Sequence, residues 1–136
     1  RTAMAHALGD AVTPLRLSGV SANVFTDPEI ATVGISAAEA ADNADVEAVM
    51  MPLSRNPRAK MLGITEGFVK LFAYRGTGTV LGGVIVAPRA SELIFPVALA
   101  VTNRLSVDQV ASTFTVYPSL SGSVTEAARK LHHRAT

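Results

Sequence analysis

Few side chains in this sequence could carry out chemistry on their own. The chain has no cysteine, so it holds neither a disulfide, nor a thiolate metal site, nor a redox dithiol. Its histidines are His6, His132 and His133, and the last two are adjacent, so their rings diverge on a helix and cannot bind one ion together. Tyr117, which precedes Pro118, offers a phenol, and phenols are poor general bases at neutral pH because their reference pKa is about 10. The chain alone is therefore not expected to be a complete enzyme.

The charged residues are nearly balanced, with 12 basic and 11 acidic side chains and a formal net charge of +1. Since there is no long run of one sign, we expect no nucleic-acid partner. Arg55, Arg58 and Lys60 form a local basic patch, which either lies in solvent or meets a dinucleotide phosphate of a neighbouring domain. Glu126 and Arg129 are three residues apart on a predicted helix and should form a surface ion pair.

The length of 136 residues fits one domain with a single apolar core. The longest apolar stretch, residues 93–101, is shorter than the roughly 20 residues that span a bilayer, so we expect no transmembrane segment and a cytoplasmic location. No G-x-G-x-x-G sequence lies on a strand-to-helix turn, so this chain should not cradle dinucleotide phosphates. Because it opens on Arg1 rather than Met, we expect an interior fragment of a longer protein.

The hydrophobic pattern predicts strands first and helices afterwards. The predicted strands cover residues 20–26, 29–33, 46–53, 67–75 and 79–87, and the predicted helices cover 2–8, 37–42, 90–105, 106–111 and 119–131. Gly76-Thr77-Gly78 is typical of a hairpin turn, because glycine tolerates the positive φ that tight turns need. Residues 36–39 form a capping box, and residues 54–58 are expected to be a polar loop.

This order of elements favours the α+β class, with an antiparallel sheet of about five strands and helices packed on one side. The 90–105 segment is apolar around its whole circumference, which indicates burial on two sides, against the sheet and against another subunit.

Several stretches together resemble the flavoprotein disulfide reductase family, which includes dihydrolipoamide dehydrogenase and mercuric reductase. They are VFTDPEIATVG at 24–34, GFVKL at 67–71, IVAPRASELI at 85–94 and YPSLS at 117–121. The resemblance is to the C-terminal dimerisation domain of that family and covers about residues 20–131. Residues 91–96, 104–110 and 114–119 look most like the actinobacterial NAD(P)H:quinone reductases related to dihydrolipoamide dehydrogenases.

The resemblance implies that residues 1–19 are the tail of a preceding FAD domain and a linker, and that residues 20–136 are the dimerisation domain. It implies a homodimer in which this domain completes the active site of the partner subunit. FAD and NAD(P)H would be bound mainly by parts of the parent chain that are absent here. By the same resemblance, the main-chain carbonyl of Tyr117 would reach the partner's flavin, and Pro118 would fix the turn that aims it.

The sequence departs from the family where disulfide reductases have a His-Pro-Thr element and, five residues after its His, a Glu. Tyr117 occupies the His position and Gly122 the Glu position, so both residues of the His–Glu pair that acts as the general base are missing. No catalytic residue is therefore assigned in this chain. Electron transfer from flavin to a quinone needs no such base. We therefore expect the parent enzyme to transfer electrons to a quinone. A disulfide reductase with an atypical base and a non-catalytic dimerising domain are the alternatives.

Overall fold

The computed structural model describes residues 1–132. The strands are β1 Ala22–Val24, β2 Glu29–Gly34, β3 Val46–Pro52, β4 Phe68–Tyr74 and β5 Val80–Ala87. Within the described residues they form a five-stranded sheet in the order β1-β2-β5-β4-β3, in which every neighbouring pair is antiparallel. The predicted α+β fold with an antiparallel sheet is confirmed.

Among the described residues, one helix precedes the strands in the chain, two lie between strands and four follow β5. They are α1 Thr2–Ala7, α2 Ala37–Ala41, α3 Pro57–Met61, α4 Ala90–Leu93, α5 Phe95–Thr102, α6 Val107–Ser112 and α7 Gly122–Lys130. Short 3-10 turns cover Leu17–Gly19 and Leu53–Arg55.

The two faces of the sheet are covered unequally. On the helical face, α4, α5 and α7 contact the strands, and Val69, Leu71 and Ile85 are among the residues buried beneath them. The opposite face has a smaller apolar cluster, where Ala40 of α2 packs with Phe72. The prediction that helices pack on one side therefore describes the main core, while α2 covers one corner of the other face.

The hairpin between β4 and β5 forms where the glycines predicted it. The amide of Tyr74 donates to the carbonyl of Thr79 at 3.0 Å, and the amide of Gly78 donates back to Tyr74 at 2.8 Å. Gly78 has φ +64°, a conformation that glycine adopts without the steric cost of a side chain. The capping box before α2 is also present, with Ser36 and Glu39 each accepting the other's backbone amide.

The single helix predicted over 90–105 is wrong, because the segment is divided into α4 and α5 at Ile94. Pro96 has no amide hydrogen to donate to the carbonyl four residues earlier, so the helical ladder is interrupted there. Ile94 itself nevertheless keeps helical φ and ψ: its amide donates to the carbonyl of Ala90 at 2.9 Å, and its carbonyl accepts the amide of Ala98 at 2.9 Å. In α5, Val97 is buried while Phe95 and Leu99 are 67% and 48% exposed, so an apolar side of this helix faces outward.

Two further boundaries differ from the sequence predictions. The closing helix begins at Gly122 rather than near 119, because residues 117–121 form a turn in which Ser119 Oγ accepts the amide of Gly122. The 54–58 segment is not a simple loop, since α3 begins at Pro57 with Asn56 as its N-cap. Asparagine at the N-cap followed by proline at the first helical position is a favoured helix start.

The N-terminal connection packs closely on the domain at one place. Gly19 lies against α5, where an added Cβ would come within 2.4 Å of Thr102 Oγ1. By contrast, α1 contributes no buried residue. The connection therefore joins the fold at the Leu17–Gly19 turn and not before it.

Candidate functional site

The segment between α6 and α7, residues 113–121, projects an apolar loop from the domain. Phe114, Val116 and Tyr117 are 103%, 78% and 81% exposed, although all three are large hydrophobic residues. Pro118 follows, half-buried, and the peptide bond that joins it to Tyr117 is cis. Apolar side chains clustered on one exposed loop mark a surface that another molecule covers.

The turn at the end of this loop is held by hydrogen bonds at its base. Ser119 Oγ accepts the amide of Gly122 at 3.1 Å and lies 3.1 Å from Ser121 Oγ. Asn56, only 8% exposed, donates its side-chain amide to the carbonyl of Ser119 at 2.9 Å and to Ser123 Oγ at 2.8 Å. The tip of the loop is thus exposed, while its base is bonded to Asn56 at the start of α3.

Gly122 begins α7, and the space around it is open. A Cβ added there would meet Ser119 Oγ at 3.5 Å, an ordinary van der Waals distance, and Gly122 does not have a positive φ. The fold therefore does not require glycine at this position. A side chain at position 122 is therefore excluded neither by the backbone conformation nor by a clash at its Cβ.

A cavity of about 550 Å³ opens between this loop, the first turns of α7 and the end of β3. Tyr117 and Gly122 both line it, so the structure brings the two predicted site positions together on one cavity. Its apolar wall includes Phe114 and Val116 from the loop and Met51 from β3. This size lies within the range of small-molecule sites, which are mostly apolar with a few polar groups.

Two of the three charged residues that line the cavity, Glu126 and Arg129, contact each other. Glu126 pairs with Arg129, as the sequence predicted, and Arg129 also reaches the carbonyl of Ala111 at 3.5 Å. Glu126 lines the same cavity as Tyr117, and its carboxylate pairs with the guanidinium of Arg129. Arg55 lines the cavity, whereas Arg58 and Lys60 belong to α3 outside it, so the predicted basic patch is divided.

Neither His6 nor His132 lines the cavity that contains Tyr117. His132 Nδ1 is 2.6 Å from Asp108 Oδ1, which links the end of α7 to α6, and His6 is exposed on α1. His133 lies outside the described residues. Within residues 1–132, no group of three or more histidine, aspartate or glutamate side chains could hold a metal ion.

The 24–34 and 85–94 stretches, which carry the family resemblance, contact each other away from this cavity. Glu29, in the 24–34 stretch, accepts the amide of Ser91 at 2.9 Å at the start of α4. This hydrogen bond, together with one from the Ser91 side chain, holds the pKa of Glu29 below its ordinary value, and the nearby Arg89 charge acts in the same direction. The motif is therefore a structural link between β2 and the helical layer.

Comparison with known proteins identifies the family to which this fold belongs. Residues 20–128 match the family described as pyridine nucleotide-disulphide oxidoreductase, dimerisation domain. The chain belongs to this family. The predictions of the family and of a dimerisation domain are therefore confirmed.

Relatives and a solved structure agree with this assignment of the dimerisation domain. An NAD(P)H dehydrogenase (quinone) of Mycobacterium tuberculosis is 56% identical over 132 residues, which are 96% of this chain and 27% of that protein. A dihydrolipoyl dehydrogenase of Haloferax volcanii is 40% identical, over 90% of this chain and 26% of that protein. The crystal structure of LpdA from Mycobacterium tuberculosis superposes with a TM-score of 0.91 at 55% identity, covering 96% of this chain and 29% of that one.

The dimerisation domain spans about a quarter of the length of these curated relatives. Within residues 1–132, no helix is both long and apolar enough to cross a membrane.

The sequence analysis predicted neither the role of Asn56 nor the cavity. The Asn-Pro pair at 56–57 was the available signal for the first, whereas the cavity is formed by segments far apart in the chain.

Proposed function

We propose that this chain is the dimerisation part of an FAD-dependent NAD(P)H oxidoreductase that passes electrons to a quinone. The observation that carries the proposal is the pairing of Tyr117 and Gly122 on one cavity with an apolar wall. A thiol-disulfide reaction needs a base near neutral pH, and neither residue supplies one. A quinone needs an apolar, planar site, and the exposed aromatic rings of Phe114 and Tyr117 offer one side of it.

The 113–121 loop fits the edge of a cofactor bound in a partner subunit. Its tip is apolar and exposed, and the carbonyl of Tyr117 with Pro118 would be the contact to the partner's flavin. The chemistry supplied by the bound cofactors is hydride transfer from NAD(P)H to FAD and onward electron transfer to the acceptor. The residues of this chain would orient the acceptor, exclude water and shield the reduced cofactor.

Both cofactors would be held mainly by parts of the parent chain outside these residues, which agrees with the absence of a Gly-rich phosphate loop in the sequence. We assign residues 1–19 to the tail of the FAD domain and its linker, and residues 20–136 to the dimerisation domain. The start of the family match at residue 20 and the lack of buried residues in α1 support this division.

The partner of this domain would be its own copy in a homodimer. The outward apolar side of α5, with Phe95 and Leu99, and the 113–121 loop are the surfaces that such a subunit would cover. A cytoplasmic location accords with an enzyme that uses NAD(P)H.

The deciding experiment is NAD(P)H oxidation by the intact flavoprotein, with a soluble naphthoquinone and lipoamide compared as acceptors under identical conditions. We expect rapid turnover of the quinone and negligible turnover of lipoamide. Substantial lipoamide turnover would mean that another group serves as the base, and the quinone assignment would then be abandoned while the dimerisation role remained.

Replacement of the tyrosine tests the cavity itself. Tyr117→His should change kcat/KM for the naphthoquinone, because the ring forms part of the acceptor wall. Tyr74→His is the matched control, since Tyr74 ends β4 and does not line this cavity. Equal quinone kinetics in both variants and the unmodified enzyme would show that the Tyr117 ring only packs at the surface.

The similarity to a dihydrolipoyl dehydrogenase keeps a second candidate, a disulfide reductase with an atypical base. It requires a pair of redox cysteines elsewhere in the parent chain, because this chain has none. The lipoamide arm of the same assay tests it.

A further inference from the structure

Asn56 is a buried polar residue whose side chain uses all of its ordinary hydrogen-bonding capacity. Its oxygen accepts the amides of Arg58 at 2.8 Å and Ala59 at 3.2 Å. Its nitrogen donates to the carbonyl of Ser119 at 2.9 Å and to Ser123 Oγ at 2.8 Å. An asparagine amide has one oxygen with two acceptor positions and two N–H donors, so none is left over.

The orientation of this amide is fixed by its surroundings. Backbone N–H groups can only donate and a backbone carbonyl can only accept, so the oxygen must face α3 and the nitrogen must face Ser119. The two ends of the side chain therefore have different tasks. The oxygen caps a local helix, and the nitrogen reaches residues 63 and 67 positions further along the chain.

The first task does not explain why the residue is asparagine. Serine, threonine or aspartate would cap α3 comparably well, because each has an oxygen that accepts backbone amides. Of these cap residues, only asparagine adds an N–H pair. The residue type thus points to the long-range contact with Ser119 as the feature that the site needs.

That contact lies two residues after Tyr117. Within residues 1–132, the hydrogen bond from Asn56 to Ser119 is the only one that joins the 113–121 segment to an element other than α6, α7 or the segment itself. The large apolar residues of the loop tip, Phe114, Val116 and Tyr117, are mostly exposed. The position of the Tyr117–Pro118 turn relative to the sheet is therefore set by this hydrogen bond together with the packing of Leu120 against the core.

We infer that Asn56 is a positioning residue, which sets the place of the Tyr117–Pro118 turn against the partner subunit's cofactor and against the acceptor cavity. It acts through Ser119 and does not itself need to touch the acceptor. This inference rests on the proposed function for its kinetic consequence, but the anchoring of the turn stands on the geometry of this chain alone.

The test uses Asn56→Asp in the intact flavoprotein. Aspartate has nearly the same shape and keeps the cap of α3, but it replaces the two donors by an oxygen that faces the Ser119 carbonyl. Asn103→Asp is the matched control, because Asn103 is exposed and its side-chain nitrogen also donates to a backbone carbonyl, that of Leu99, at 2.9 Å.

The first measurement is hydrogen exchange at the start of α7, where the amides of Gly122, Ser123 and Val124 bond back to the 119–121 turn. We expect exchange of these amides to rise about tenfold in Asn56→Asp, while peptides over α3 stay unchanged. Unchanged exchange at 122–124, or an equal rise in both regions, would overturn the anchoring.

The second measurement separates the two half-reactions by stopped flow. Flavin reduction by NAD(P)H should be unaffected, because in the proposed function the nicotinamide would be bound outside this domain. Reoxidation by naphthoquinone should slow about tenfold or more, since small displacements of a positioned group have effects of that size. Normal reoxidation alongside a loosened turn would refute the positioning role, and so would an equal slowing of both half-reactions, which indicates general damage.

The two measurements keep the inference distinct from the proposed function. If the unmodified enzyme does not reduce naphthoquinone, the proposed function fails, and the exchange experiment still decides whether Asn56 holds the turn. If Asn56→Asp does not yield a flavin-loaded dimer, Asn56→Ser replaces it, because serine keeps the cap and lacks both donors.

Discussion

Replacing Tyr117 should affect the stability of this chain far less than replacing a buried aromatic residue of similar size. The Tyr117 side chain is 81% exposed, so about a fifth of a surface of roughly 200 Å² is covered, which is about 40 Å². At about 25 cal/mol per Å², Tyr117→Ala should lower the free energy of unfolding by about 1 kcal/mol. Phe72 is 1% exposed, and Phe72→Ala should cost about 3–5 kcal/mol.

The comparison is made by urea unfolding of the chain and its two variants at one fixed protein concentration at which sedimentation shows a monomer, with the slope checked for constancy. A destabilisation by Tyr117→Ala as large as that of Phe72→Ala would refute the reasoning, because it would mean that the tyrosine ring is covered within the chain itself. The expected outcome would leave Tyr117 available to another molecule, as the proposed function requires.

Two further variants test the backbone and the electrostatics. Gly34→Ala should destabilise the chain by at least about 2 kcal/mol, because Gly34 has φ +77° and an added Cβ would lie 2.0 Å from the Leu81 carbonyl oxygen. Gly76→Ala is the control, because the space around Gly76 is open, and it should be nearly neutral in the same urea assay. Glu29→Gln tests the lowered pKa of Glu29: the stabilisation by this carboxylate is present above the ordinary pKa of 4.5 and is lost as the pH falls through the lower value of the folded state. The difference in unfolding free energy between the two proteins should thus be largest near neutral pH and should shrink as the pH falls below about 4.5. A difference that grew in acid would contradict the lowered pKa of Glu29.

Local sequence signals predicted the parts of the fold that depend on neighbours in the chain. The glycines at 76 and 78 located the β4–β5 hairpin, and Ser36 with Glu39 located the start of α2, because these features need only residues a few positions apart. The apolar residues of β4 lie on both of its faces, and the structure covers both.

Boundaries that depend on competition between local and distant partners were predicted less well. Hydrophobic spacing over 90–105 is continuous, and only the missing amide of Pro96 divides it. The start of α7 was placed too early, because Ser119 is a good cap by type but its hydroxyl bonds to Gly122 within a turn. The cap at Asn56 was available from the sequence, whereas its second task, toward Ser119, was not.

The candidate site was only partly predictable. Tyr117, Pro118 and Gly122 were identified through the family resemblance, and the structure puts Tyr117 and Gly122 on the same cavity. Their roles toward a partner's cofactor stay predictions. The facing wall comes from the end of β3, more than 50 residues earlier in the chain, and no local pattern indicates such a meeting.

The close approach of Gly19 to Thr102 has a practical consequence for anyone who shortens this chain. The Leu17–Gly19 turn lies against α5 and β2, so its removal would open a strip of the helical layer to water, whichever domain those three residues are assigned to. A recombinant form that starts at residue 20, where the family match begins, would therefore expose the surface of α5 and β2 that the Leu17–Gly19 turn covers. Expression boundaries are better set upstream of residue 17.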